Sequence, residues 1–498
     1  MNVNPITRLD YPDPDVIRVE DTYYMVSTTM HFMPGCEILQ SFDLVHWEHV
    51  TYVYETLDHT DAQQLKSGQN IYGQGMWAAS LRYHEGRFCI CFVANDTRKT
   101  YLYTSEKIDG PWKKQLIEGF YHDGSLLFDE DGRNYIVYGN DEIWITELNE
   151  DLTAPKKDGL HRLLVSDHKN PELGYEGSHI QKINGYYYIF LVHSLRDRWM
   201  RTEACFYSDS LEGEFTGGDV LCDDRGYCGQ GVAQGGIVDT PDGKWYAMLF
   251  QDSGAVGRIP ILLPVTWKDH FPVFGQNGHV PEEIEVHSTR PGYIYQPLVG
   301  SDDFCNGLLP RWQFNHDPDP RYYHLDALQG TYTITTREVC TELTQAVNTL
   351  TQRMSYPSCT AEVTVDASAL KEGDVAGLCA LQSCYAAVGI TKHHGKYEVL
   401  MLDKKEDGIL DMTEGTVVES HQMDFRLEAD FCNMKDEARC YYRVNKGDWL
   451  PIGTVHKLYF KLDHFTGCRF GLFCYAAEET GGSACFRDFK YYDVDEIS

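Results

Sequence analysis

Three observations predict an all-β protein: a five-bladed β-propeller followed by an antiparallel β-sandwich. The first is composition. With 33 Tyr, 22 Phe and 9 Trp in 498 residues, and little apolar patterning at helical period, the chain favours pleated strands over helices. The second is an internal repeat. Turns of an acidic residue or Asn, usually followed by Gly, open aromatic strands five times: Asp21-Thr22 before YYMV, Glu85-Gly86 before RFCIC, Asp131-Gly132 before RNYIV, Asn184-Gly185 before YYYIF and Asp242-Gly243 before KWYAM. Their separation of roughly 45 to 65 residues is the size of a four-stranded propeller blade. The third is a change of pattern after Val280, where the repeat stops. A chain of this length also exceeds what one core can hold.

Taken in order, each unit begins with an inner strand and a hairpin turn. Asn184-Gly185 between apolar runs is the strongest of these hairpin signals. A further strand follows, then a polar turn that an aromatic closes in several copies, as in SFDLVHW, KIDGPW, SLEGEF and TWKDHF. The Pro- and Gly-punctuated run of residues 281–304 reads as a connector. The propeller is therefore expected over residues 1–297 and the sandwich over 298–498. Short alternating strands such as TYTITT, TAEVTVD, KYEVLML and RFGLFCY support the second part.

The repeat also aligns candidate functional residues. Nine positions before the second turn residue stand Asp13, Trp77, Asp123, Glu176 and Gln234, at the same offset in all five units. The first strand of a blade lies innermost, so equivalent positions at its start ring one mouth of the central channel. Three acids and a large aromatic are poor structural filler there, because unpaired buried carboxylates are costly. Pro12 and Pro14 stiffen the backbone around Asp13. Asp123 and Glu176 each precede a Gly-Ser step, which permits close approach of backbone to a ligand.

Two kinds of function suit such a ring. Glycoside hydrolysis needs one carboxyl group that donates a proton to the leaving oxygen and one that activates water or attacks the sugar. A third carboxylate nearby raises the pKa of the proton donor, and a Trp face can hold a sugar. The alternative is a propeller that binds carbohydrate without turnover, its acids holding a cation. Glu176 and His179 lie three apart on one strand and point to opposite faces, which makes them a poor metal-ligand pair.

The net charge of −32 argues against nucleic acid or an anionic membrane as partner. No apolar run is long enough to span a bilayer, and no basic start followed by an apolar stretch marks an export signal. The sixteen cysteines contain no CxxC pair and read as free thiols. The expectation is a cytoplasmic protein.

The motifs YPDPDVIRVEDTYYMVSTT, MWAASLRYHEGRF, HDGSLLFDEDGRNYIVYG, YEGSHIQKINGYYYIF, QGGIVDTPDGKWYAMLFQD and GRIPILLPVTWKDHFPVFG occur here in order. Together they resemble glycoside hydrolase family 43, in its branch of β-xylosidases and α-L-arabinofuranosidases with a C-terminal concanavalin A-like sandwich. The resemblance implies an inverting, exo-acting hydrolase of xylan-derived oligosaccharides, with xylo- and arabinoxylo-oligosaccharides as its partners; an arabinanase on the same fold is the alternative. It assigns Asp13 as general base, Glu176 as general acid and Asp123 as the group that tunes and orients the acid. It implies Trp77 and Phe32 as walls of the sugar pocket and Arg258 as a contact to sugar hydroxyls. Inversion implies that Asp13 and Glu176 stand roughly 6.5 to 9.5 Å apart, leaving room for water. Many members carry a His near the axis in the fifth blade, associated with calcium or water; here the run is GVAQGG. No cofactor is needed for the chemistry, and the axis is expected to hold either a calcium ion, with the Gln234 side-chain oxygen and waters as ligands, or an ordered water.

Overall fold

The computed structural model describes residues 2–413 and 415–494. The first part is a ring of five four-stranded antiparallel sheets, each made from consecutive strands. Their innermost strands are Asp15–Val19, Met76–His84, Ser125–Phe128, Glu176–Ile183 and Ala233–Asp239, which begin blades 1 to 5. The predicted hairpins form. Ile183 pairs with Tyr186 around Asn184 and Gly185, whose φ values of 51° and 85° are those a two-residue turn of this kind requires.

Apolar side chains on both faces of the strands pack blade against blade. Five buried clusters fill the five gaps, so the ring closes without a shared strand. Between the last and first blades, Val238, Tyr246, Met248 and Leu262 meet Val16, Tyr23, Met25 and Leu39. The N-terminal segment adds a clasp. Asn2–Val3 pairs with Glu283–Ile284, and the buried Asn4 amide bonds Leu262 in both directions, at 2.7 and 3.1 Å. Which segment completes the ring had no signal in the sequence.

The second part is a sandwich of two antiparallel sheets around one large apolar core. One sheet does not end at the domain border. Its strand Gln313–Asn315 pairs with the two-residue strand Phe32–Met33 of blade 1, so backbone hydrogen bonds run from sandwich to propeller. Buried ion pairs reinforce the joint. Arg353 of the sandwich bonds Glu37 at 2.8 Å and places its guanidinium 4.1 Å from the Tyr11 ring. The run WQFNHDPD lies in this joint: Trp312 is buried and bonds Asp302, and His316 is wholly buried. All sixteen cysteines are free. Among the described residues no helix is long and apolar enough to cross a membrane.

Candidate active site

The inner strands do not begin as regular ladders. Register slips at Met76/Ala79, Glu176/His179 and Ala233/Gly236, and Asp13, Asp123 and Gln234 adopt positive φ values of 52°, 47° and 64°. Such irregularities re-aim side chains at a rim. Gly177 shows why the step after Glu176 must be glycine. Its φ is +66°, and a Cβ there would stand 2.7 Å from Gln234 Cγ. Its N–H donates to Asp123 Oδ2 at 3.0 Å.

The three carboxylates converge on one rim, Asp13 and Asp123 buried and Glu176 partly exposed. Asp13 accepts from Thr28 Oγ1 at 2.6 Å and from Arg258 Nη1 at 3.0 Å. Glu176 Oε2 accepts from Asn140 Nδ2 at 2.6 Å. His122 stands between the other two acids, its Nε2 3.6 Å from Asp123 Oδ2 and 3.5 Å from Glu176 Oε2. Burial raises the Asp123 carboxyl to about 6; the His122 charge opposes this, and the charges of Glu176 and Asp13 add to it. Burial also pushes Glu176 up, but His122, Arg201 and Arg258 outweigh it, and its net direction is down. His122 is depressed by burial yet raised overall to about 9 by Asp123, Glu176 and Asp13. The pair of carboxyl groups therefore titrates together with the imidazole.

Two arginines set the charge on the opposite side. Arg201 begins the third strand of blade 4 and Arg258 that of blade 5. Both reach Asp252, Arg201 through Nη1 and Arg258 through Nε at 3.3 Å. Burial lowers Arg201 to about 9, with the Arg258 charge adding to the effect and Glu176 and Asp13 opposing it.

The sandwich supplies a wall. Phe465 places its ring 5.6 Å from Trp77 and 4.5 Å from the Arg258 guanidinium, with Phe460 beside both Phe465 and Arg258. The loop is tied down by Asp10, which accepts from Arg258 N and Gly467 N at 2.7 and 2.9 Å. Trp77 also meets His122 edge-on at 5.8 Å. Phe32 takes a different place from the expected one. It exposes no surface and is sandwiched between His31 and Arg469, whose guanidinium is 3.5 Å from its ring. Its strand is drawn into the sandwich sheet, so it forms the joint rather than a pocket surface.

Gln234 lies on the rim against Gly177, as the offset predicts. Its surroundings do not fit a calcium ion, which needs several oxygen ligands and compensating charge. The buried Asp15 carboxylate on the inner strand of blade 1 is already held by Arg82, His179 and the Leu81 N–H. The carboxyl group beside Gln234, Glu203, is fully buried, accepts from Gln234 N at 2.7 Å and is pushed far up by burial, which disfavours the charged form a calcium ligand needs. No step below is routed through a metal.

Of the predicted residues, Asp13, Trp77, Asp123, Glu176, Arg258 and Gln234 gather at one rim. Sequence reasoning missed His122, Asn140, Arg201, Thr28 and Phe465. His122 adjoins Asp123, and Asn140 ends the strand that pairs beside it; these two had a local signal.

Comparison with known proteins agrees with this geometry. Residues 3–272 match the family described as glycosyl hydrolases family 43, and residues 301–492 match the beta xylosidase C-terminal concanavalin A-like domain. A β-xylosidase of Formosa agariphila is 26% identical, over 99% of this chain and 89% of its own. A non-reducing end α-L-arabinofuranosidase of Bacteroides ovatus is 24% identical, over 82% and 79%. Among solved structures, a bifunctional GH43-CE protein of Bacteroides eggerthii superposes with a TM-score of 0.91 at 42% identity. It covers 99% of this chain, and this chain spans 63% of that longer protein. An engineered GH43 hydrolase, described as displaying both endo-xylanase and exo-arabinofuranosidase activity, gives 0.88 at 27% identity over 99% of both chains. With a five-bladed propeller, a rim where three carboxylates meet and a family match over more than half its length, the chain belongs to glycosyl hydrolases family 43.

Proposed function

We propose that this glycosidase is an exo-acting, inverting hydrolase that releases terminal β-D-xylose or α-L-arabinofuranose from xylan-derived oligosaccharides. The observation that carries the reading is the convergence of Asp13, Asp123 and Glu176, from three blades, beneath Trp77 and Phe465. Asp13 is the general base. Thr28 and Arg258 fix its carboxylate, and it takes a proton from the water that attacks the anomeric carbon. Glu176 is the general acid, oriented by Asn140, and protonates the departing glycosidic oxygen. Asp123 orients the same segment through Gly177 N–H and repels a second negative charge on Glu176.

The exo preference follows from the wall. Phe465 closes one side of the rim, and a chain end fits a closed pocket better than a chain interior. The same wall disfavours an arabinanase, which needs an open cleft. The xylosidase and arabinofuranosidase relatives bring both sugars into this reading. Release of 4-nitrophenol from the β-D-xyloside and the α-L-arabinofuranoside, run side by side with Asp13→Ala, tests it. Turnover of at least one substrate, lost in the variant, is expected. No turnover of either, with retained binding of xylo-oligosaccharide, would instead support a binding propeller.

A further inference from the structure

A general acid must hold a proton before it can give one, and the cations around Glu176 work against that. Glu176 is ionised in the field of two arginines and an imidazolium. The nearest group that carries a proton at neutral pH and faces Glu176 is His122. Its Nε2 is buried and makes no hydrogen bond, although two carboxylate oxygens stand 3.5 and 3.6 Å away. His122, Asp123 and Glu176 offer atoms that all lie within 4.8 Å of one another. An imidazole ion-paired with two carboxyl groups, just beyond ideal hydrogen-bond length from each, stands where it can pass a proton to either. The ring is positioned, not loose. The His122 carbonyl accepts from Gly139 N at 3.0 Å, and the ring abuts Trp77.

We propose that His122 is a positioning residue that stores the catalytic proton and delivers it to Glu176. This rests on the glycosidase reading above. The His122 Nε2–H donates to Glu176 Oε2, leaving a neutral imidazole and a carboxylic acid. The Glu176 O–H then protonates the leaving oxygen as the C1–O bond breaks. Water forms the new C1–O bond and gives its proton to Asp13. Asp13 afterwards releases that proton to solvent, and His122 takes one up, so charge and atoms balance over the cycle. The groups that face this transfer are Asp13 from blade 1, neutral Trp77 from blade 2, Asp123 and neutral Asn140 from blade 3, Glu176 and Arg201 from blade 4, and Arg258 from blade 5. Sharing one proton among three groups means that the active form survives until the imidazole itself titrates.

The test is the pH dependence of kcat/KM on xylobiose for wild type, His122→Phe, which keeps a ring against Trp77, and His122→Asn. In wild type the alkaline limb is expected near 9. Without the imidazole the proton must reside on the carboxyl pair, so the limb should fall well below 9 in both variants. Their activity should then be at least about tenfold lower at pH 8 than at pH 6. An imidazole that only shields charge predicts the opposite, because its removal would move the limb upward. An unmoved or raised limb overturns the proposal. Should the variants fail to fold, an imidazole titration of the wild-type full chain by NMR decides: no histidine titrating well above 7 overturns it. Wild type inactive on every xyloside and arabinofuranoside would overturn the glycosidase reading itself, a result distinct from an active enzyme with an unmoved limb.

Discussion

The ring of Phe465 lies 4.5 Å from the guanidinium of Arg258, whose Nη1 donates to Asp13. A sandwich residue therefore backs the cation that holds the proposed base. In the proposed reading this makes the C-terminal domain part of the sugar pocket. Phe465→Ala should raise KM for xylobiose about tenfold, the scale of one lost desolvated ring contact, with a smaller change in kcat. Steady-state kinetics check this, and an unchanged KM would remove Phe465 from the pocket.

Glu176→Gln keeps the bond-making shape but cannot donate the proton. Xylobiose turnover should fall about 10²- to 10⁴-fold, while 4-nitrophenyl xyloside, whose leaving group needs little protonation, should lose much less. Parallel kcat/KM values on the two substrates measure the gap. Equal losses would deny Glu176 the acid's role.

Arg258→Met removes the cation paired with the buried Asp13 carboxylate, while the partly exposed Asp252 keeps its pair with Arg201. Leaving buried charges unpaired costs roughly 3–5 kcal/mol, so both thermal midpoint and activity should drop. Differential scanning calorimetry reads the first. An unchanged midpoint would mean that the pairs contribute nothing to stability.

His31, His316 and His464 crowd the joint behind Phe32 and Phe465, with ring centroids of His316 and His464 at 4.8 and 5.0 Å from His31. Burial holds His464 down at about 3. The unfolded chain binds a proton near 6.5 and the folded one does not, so this stability is present above 6.5 and is lost as pH falls toward 3. Between pH 6.5 and 5 the loss is on the order of 2 kcal/mol for one histidine. Denaturant melts of wild type and His464→Phe at both pH values should show the variant less acid-sensitive by that order. Equal sensitivity would contradict the neutral, buried histidine.

Much of this architecture was legible because it repeats. A fixed offset from each hairpin turn picked out Asp13, Trp77, Asp123, Glu176 and Gln234, since equivalent backbone positions in a closed ring must face one axis. Tertiary contributions were not legible. Phe465 reaches Trp77 only because one sandwich sheet pairs with Phe32–Met33, and no local pattern encodes that pairing. The same pairing buried Phe32, which the family resemblance had offered as a pocket wall. Arg201 begins a third strand, where the units share no signature. His122 was visible beside Asp123, but a lone His next to an acid has no meaning until Glu176 is brought to its other side.

The central claim is a single displacement by water between Asp13 and Glu176. Proton NMR of the first sugar released from a β-xyloside tests it most directly, before mutarotation scrambles the product. The account predicts α-xylose first. Initial release of β-xylose would show retention through a covalent intermediate and contradict it.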